Sequence, residues 1–406
     1  MVPDSADWKK ASFKEVLKLD RGSSPRPIVN YMTDSLDGLN WIKIGDTKNR
    51  DLYIDSTKER ITPEGAKKSR KVSQGEIILS NSMSFGKPYI LNIDGYIHDG
   101  WFVIRKYEEH LKKEFLIQIL SYELIQRQYK RLAAGGVVSN ISSDLVYAVK
   151  IKLPPLPEQK KIAQILSTWD QAITATERLL ENSQQRKKGL MQQLLTGKKR
   201  LPGFEGKWEA KHISQTGKIV SGGTPDTNDG DLWGGDVQWL TPTDITALKT
   251  HFIYDTPRKI TEKGVKESSA ALMPSGSLCV CTRASVGLMA ISTTPITTNQ
   301  GFKSVIPDNK HDVEFLYYLF SFNRHVFIRY SSGSTFMELS KKDFVKIIFS
   351  YPPVAEQKAI ARILASANDE IEQLQKRIDG LKQEKKALMQ QLLTGKRRVQ
   401  VEMEVA

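Results

Sequence analysis

The sequence predicts an α+β protein built as a pseudo-two-fold tandem repeat. Two globular halves of mixed strands and helices are separated by two long helices that pair as an antiparallel coiled coil. Three observations predict it. First, "LMQQLLTGKKR" from Leu190 and "LMQQLLTGKRR" from Leu388 agree in ten of eleven letters, 198 residues apart. "PPLPEQKKIAQIL" (Pro154–Leu166) and "PPVAEQKAIARIL" (Pro352–Leu364) keep the same offset, so no insertion or deletion separates the copies from Pro154 to Arg200. Loops accept insertions, whereas one extra residue turns the face of a packed helix by about 100°. Second, apolar residues in these segments alternate at spacings of four and three. Third, the preceding segments repeat more faintly and with a drifting offset. "QGEIILSNSMSFGK" (Gln74–Lys87) meets "SGSLCVCTRASVGL" (Ser275–Leu288), "HDGWF" (His98–Phe102) meets "NQGFK" (Asn299–Lys303), and Trp8 and Trp41 meet Trp208 and Trp239.

The alternating positions define one seam per helix. In the first they are Ile162, Leu166, Trp169, Ile173, Thr176, Leu180, Ser183, Lys187, Leu190 and Leu194; in the second, Ile360, Leu364, Ala367, Ile371, Leu374, Ile378, Leu381, Lys385, Leu388 and Leu392. A period of 3.5 residues over more than four heptads is a coiled-coil seam. Lys187 and Lys385 sit where a seam lysine snorkels or fixes register. Prolines precede both helices, where the missing N–H costs nothing. Gly197 and Gly395 stand where left-handed caps stop a helix, with Lys198, Lys199 and Arg200 following at the cation-favouring end of the dipole. About 40 residues at 1.5 Å each carry the chain roughly 60 Å, so pairing of the seams requires the second helix to run back antiparallel. The expected division is 1–153 and 201–351 for the globular halves, 154–200 and 352–398 for the helices, and 399–406 for a tail. Leu195 and Leu393 lie off the seam beside Gln192 and Gln390. Two readings stand: equivalent docking points for two copies of a partner, or packing on the adjacent globular half.

Within each half, "NWIKIGD", "GEIILSN", "KPYILN" and "GWFVIRK" read as short strands bounded by Gly, Asn or Asp. One helix per half follows, over 109–132 and 313–330, then a Gly/Ser loop. The polar loops carry any reading function. In half one they hold Lys48, Asn49, Arg50, Lys67, Lys68, Arg70, Lys71, Asn81 and Ser82. In half two they hold Arg258, Lys259, Arg283, Ser285, Asn299, Gln300, Ser332, Ser334 and Thr335. Arg, Lys, Asn and Gln make bidentate contacts to purine edges, while Ser and Thr suit phosphates or either base type. Ordinary solvated loops would look similar. Arg283 and Asn299-Gln300 stand out because they flank the best-aligned strand.

The formal charge of +14 makes a polyanion a reasonable partner. No apolar run approaches the roughly 18 residues of a membrane span, and Met-Val-Pro-Asp-Ser does not read as a signal peptide. The two cysteines, Cys279 and Cys281, cannot supply four zinc ligands; they read as reduced, one of them in a core, and the protein as cytoplasmic. A methyltransferase needs a Gly-rich cofactor turn and an Asn/Asp-Pro-Pro-aromatic motif. The Pro-Pro pairs here are helix starts, and no Walker A, HExxH or GxSxG occurs. Neither catalysis nor a bound metal is expected in this chain.

These residues, with "SGGTPDTNDGDLWGGDVQWLTPTDI" and "TRASVGLMA…TTNQGF", resemble the specificity subunit of type I restriction–modification enzymes over almost the whole chain. The first half departs most, with "RGSSPRP" standing where half two has "SGGTPDT". The resemblance implies two target recognition domains, each reading one half of an asymmetric, bipartite site in double-stranded DNA. It implies that the helices set the half-site separation and dock two modification subunits, and that restriction subunits with a translocating motor complete the complex. S-adenosylmethionine, ATP and Mg then belong to the partner subunits, with one copy of this chain per complex. A stand-alone DNA-binding regulator or coiled-coil scaffold is the alternative, and a self-contained methylase or nuclease a third.

Overall fold

The computed structural model describes residues 8–47, 52–82, 86–133, 141–333 and 337–401. The chain forms two compact units, Met1–Thr176 with Arg377–Ala406 (unit 1) and Glu177–Lys376 (unit 2). Each unit therefore holds one globular half, the start of one long helix and the end of the other. The long helices are α1 (Leu156–Leu194) and α2 (Val354–Leu392).

Each globular half is built on a five-stranded sheet. In unit 1 its strands are β1 (Lys18–Arg21), β2 (Tyr53–Ile54), β3 (Ile77–Ser80), β4 (Pro88–Leu91) and β5 (Trp101–Arg105), in the order β1-β5-β3-β4-β2. In unit 2 they are β6 (Gly217–Ser221), β7 (Phe252–Ile253), β8 (Leu278–Cys281), β9 (Met289–Ser292) and β10 (Phe302–Pro307), in the order β6-β10-β8-β9-β7. The two orders are the same topology, antiparallel except for one parallel edge pair in each. The repeat that is faint in sequence is complete in this sheet, whereas the second sheet has four strands in unit 1 and three in unit 2.

Both faces of each sheet are buried, and side chains sort by the two-residue period of a strand. Ile77, Leu79, Phe102 and Ile104 pack toward the helices, together with Phe115, Ile162, Leu166 and Leu392. Ile78, Trp101 and Val103 pack the other way, with Ile42 and Ile97 of a second sheet. In unit 2, Leu278, Val280 and Val305 face the helices while Cys279, Cys281 and Phe302 face away. Both cysteines are thus core residues, not one of them. They are reduced, and burial pushes both thiols up to about 12.

The helix expected over 109–132 is two, Lys113–Leu120 and Glu123–Ala133; that over 313–330 is Val313–Phe322 and Arg324–Arg329. Side-chain amides sit at both breaks: Gln126 Nε2 donates to the Leu120 carbonyl (2.9 Å), and Asn323 Nδ2 donates to the Leu319 carbonyl (2.9 Å) beside its own backbone N–H (3.1 Å). The late start of the first is set from 47 residues away: Gln159 Oε1 accepts the Lys112 N–H (2.9 Å). Gln357 does the same for Asp312 (2.9 Å). These glutamines are fully buried, and each also donates to two backbone carbonyls.

Within each unit the long helices pair antiparallel. In unit 1, Lys385 Nζ meets Asp170 (2.6 Å) and the Arg398 guanidinium clamps Glu158 in the first turn of α1 (Nε–Oε2 2.8 Å). In unit 2, Ser183 Oγ donates to Glu370 (2.8 Å) and Arg200 clamps Glu356 in the first turn of α2 (2.7 Å). The seam is packed as its period requires. Ile162, Leu166, Ile173, Thr176, Leu180, Ser183 and Leu194 are buried, as are Ile360, Leu364, Ala367, Ile378 and Leu392, and the other seam positions are half-buried. Gly197 (φ 67°) and Gly395 (φ 73°) are left-handed, as helix-ending glycines should be.

The seam lysines differ in their partners because the repeat differs. Asp170, which pairs Lys385, corresponds to Asn368, whose amide donates to Tyr318 Oη (2.9 Å). Lys187 lies 6.0 Å over the Tyr318 ring instead, and burial lowers its pKa.

Leu195 and Leu393 require a correction. They are 3% and 6% exposed and belong to the cores of units 2 and 1, so they are not docking points. Each helix end buries a second face against its globular half, the other of the two readings. Gln192 and Gln390 are exposed.

Candidate nucleic-acid interface

The antiparallel order of each sheet gathers three loops at one end. In unit 1, β1 and β3 end there, and β4 and β5 begin there. The central feature is the turn His98-Asp99-Gly100 before β5. The loop after β1 grips it: Gly22 N donates to the Trp101 carbonyl (2.9 Å) and Ser23 N to the Ile97 carbonyl (3.1 Å). A Cβ on Gly22 would lie 2.0 Å from the His98 carbonyl oxygen, so only glycine fits. From the other side, Asn81 N donates to the Gly100 carbonyl (2.9 Å) and Asn81 Nδ2 to the Asp99 carbonyl (2.8 Å).

Unit 2 repeats the turn with different letters, Asn299-Gln300-Gly301 before β10. Gly222 N donates to Phe302, Gly223 N to Thr298, and Thr282 N to Gly301 (2.7 Å). A Cβ on Gly222 would lie 1.9 Å from the Asn299 carbonyl oxygen. In both units the first side chain of the turn accepts the N–H of its glycine: His98 Nδ1 from Gly100 (2.8 Å), Asn299 Oδ1 from Gly301 (2.9 Å). The second is braced by a hydroxyl of the facing loop: Ser24 Oγ donates to Asp99 Oδ1 (2.7 Å), and Thr224 Oγ1 to Gln300 Oε1.

The sequence candidates fall into three groups. Arg283, Asn299 and Gln300 come together at the unit 2 loop end. Arg283 Nη2 pairs there with Glu338 (2.8 Å), the turn Arg283-Ala284-Ser285 places Ala284 at φ 61°, and the half-buried Lys303 lies alongside with its pKa lowered chiefly by burial. Ser332 is exposed and its backbone bridges to Glu338. Lys67, Lys68, Arg70 and Lys71 are exposed on the flank of the unit 1 loops. Lys68 Nζ meets Tyr31 Oη (2.5 Å), and Arg70 Nε donates to the Arg21 carbonyl (3.2 Å). Arg258 lies over both Trp233 (4.1 Å) and Trp239 (4.8 Å), whose indole N–H groups hold the carbonyls of Asp226 and Gly223. Lys259 pairs with Asp255 (3.1 Å), and Ser82 is half-buried.

Asn81 does not belong among the readers: at 2% exposed, with its amide on Asp99, it is scaffold. Lys48, Asn49, Arg50, Ser334 and Thr335 lie outside the described residues. Ser24, His98, Asp99 and Thr224 were missed. Carrying Asn299-Gln300 across the repeat would have found the second and third of them.

Electrostatics favour a charged Asp99 and a neutral His98 in the turn. Ser24's hydrogen bond, with the backbone of the turn and His98 adding to it, holds the Asp99 carboxyl below its usual range despite some burial. Burial pushes His98 below its usual value, against the raising influence of Asp99. The unfolded chain therefore binds a proton that folded His98 refuses. This contribution to unit 1 stability is complete above about pH 6.5 and is lost as pH falls below it. His98→Asn, the residue of unit 2, keeps the turn acceptor. It is expected to flatten the fall in unit 1 melting temperature between pH 6.5 and 5, followed by thermal melts. Among the described residues no group of three or more His, Cys, Asp or Glu is placed to hold a metal ion, and no helix is long and apolar enough to cross a membrane.

The family model described as the type I restriction modification DNA specificity domain matches this chain twice, over residues 5–182 and 205–383. The chain belongs to the type I restriction modification DNA specificity family. Among family members, the MjaIX specificity subunit of Methanocaldococcus jannaschii is 39% identical over 171 residues, 42% of this chain and 40% of that protein. The putative MjaX specificity subunit of the same organism is 27% identical across 97% of this chain and 94% of its own length. Among solved structures, the S subunit of M. genitalium superposes with a TM-score of 0.60 at 15% identity, covering 95% of this chain and 96% of its own. The HsdS subunit of Thermoanaerobacter tengcongensis gives 0.52 at 19% identity, covering 97% and 98%. Family membership makes this chain a DNA-recognition subunit with its recognition fold present twice.

Proposed function

We propose that the two units read the two halves of an asymmetric, bipartite site in double-stranded DNA on behalf of a type I restriction–modification complex. One observation carries the reading: the same clamped turn stands at the same sheet end in both units with different side chains, His98-Asp99 against Asn299-Gln300. Identical scaffolds with different letters suit two different half-sites. The exposed cations Lys67, Lys68, Arg70 and Lys71 suit phosphates, which position a reader without specifying sequence. In this reading α1 and α2 set the distance between half-sites. Their exposed faces, including Gln192 and Gln390, dock two modification subunits, and restriction subunits join them in the cytoplasm. The chain works as a single non-catalytic copy. S-adenosylmethionine, ATP and Mg act in the partner subunits.

The test is reconstitution. The modification subunit and this chain are purified separately and together, then incubated with labelled S-adenosylmethionine and genomic DNA. Methyl transfer is expected only from the mixture. Turnover by this chain alone would refute the subunit reading, and turnover by the modification subunit alone would remove the need for it.

A further inference from the structure

We propose that Asp99 and Gln300 are equivalent specificity determinants, each reading one base pair of its half-site from the major groove. The inference rests on the DNA-recognition reading above and names the residues that carry it. In each clamped turn the first side chain is consumed internally, accepting the glycine N–H, and the third residue has no side chain. The middle residue is the one the turn offers outward: the Asp99 side chain is 43% exposed, and Gln300 is exposed. Ser24 and Thr224 brace these side chains from the same position in the facing loop. A brace fixes the rotamer before DNA arrives, which lowers the ordering cost of binding.

The chemistry then differs in a way bases can distinguish. Asp99, an ionised carboxylate, only accepts. Oδ1 takes the Ser24 hydroxyl, and Oδ2 lies 3.5 Å from the guanidinium of Arg26, whose side chain is itself exposed. Its complement is an exocyclic amino group, of cytosine or of adenine. Gln300 has both functions. Oε1 holds the Thr224 hydroxyl with a lone pair remaining, and among the described residues Nε2 has no partner. Donor and acceptor side by side match the N7 and N6 positions of adenine.

Two near-isosteric variants test this without disturbing the brace. Asp99→Asn and Gln300→Glu each retain the oxygen that accepts the hydroxyl and alter only the outer atom. The full complex with modification subunits is presented with a random duplex library, and the bound sequences are read. Each variant is expected to change preference at one base pair of one half-site and leave the other half-site intact. Discrimination at that pair should fall roughly 10- to 100-fold. Gln300→Glu should move it from adenine toward cytosine, and the wild-type letter opposite Asp99 decides between cytosine and adenine there. A motif identical to wild type in both variants overturns the assignment. So does an equal loss of affinity at every position, which would mark these residues as scaffold. Should the wild-type complex select no motif at all, the DNA-recognition reading itself fails.

Discussion

Leu393→Asp is expected to lower the melting temperature of unit 1 by about 10 °C or more, with Leu195→Asp doing the same to unit 2. Leu393 is 6% exposed, in one core with Phe115, Ile162 and Leu392; Leu195 is 3% exposed, in the core containing Phe315, Phe344 and Ile360. Truncating such a leucine costs about 2–5 kcal/mol, and a carboxylate adds the penalty of an unpaired buried charge. In a unit of this size 1 kcal/mol moves the midpoint by about 2–4 °C. Gln390→Asp, one turn away on the exposed face, should stay within about 2 °C of wild type because surface changes seldom exceed about 0.5 kcal/mol. Thermal melts by circular dichroism separate the cases. A Leu393→Asp melt matching wild type would mean that the leucine is not packed.

Arg398→Ala should destabilise unit 1 by about 3 kcal/mol, roughly 6–12 °C. Both side chains of the Arg398–Glu158 pair are only 10% exposed, so the alanine leaves Glu158 buried beside Trp8, whose indole N–H (3.3 Å) cannot neutralise it. The pair does what the repeated basic ending of each long helix is placed to do. The arginine after one helix clamps the glutamate in the first turn of the other, in both units. Restoring neutrality with Glu158→Gln in the Arg398→Ala background should recover most of the loss. If the double variant melts no higher than the single one, the cost lies in lost packing and not in the unpaired charge.

The sequence showed some layers plainly and hid others. The seams were legible because ten positions at a fixed period line up on one face of each helix, and the glycine caps because left-handed backbone favours glycine. Leu195 and Leu393 were ambiguous because a heptad reading sees the helix–helix face alone. The adjacent buried pairs Leu194-Leu195, Leu392-Leu393, Ile162-Ala163 and Ile360-Ala361 mark helix ends whose apolar stripe widens to meet a second surface. Asn81 read as a loop amide open to DNA, since its partner, the Asp99 carbonyl, is reached only through sheet pairing. The buried Gln159 and Gln357 were passed over for the same reason. Their partners lie 47 and 45 residues away in loops that no periodicity describes. At the candidate interface, Asn299-Gln300 stood out by chemical type, whereas His98-Asp99 carries no such signal of its own and is reached only through the alignment of HDGWF with NQGFK.

One fold, used twice with different letters, is proposed to read two different half-sites. The most direct measurement is selection from a random duplex library by the complete complex, followed by sequencing of the bound fraction. The expected result is a bipartite motif whose two specified blocks differ from one another and flank an unspecified gap of fixed length. A single continuous palindrome would contradict it.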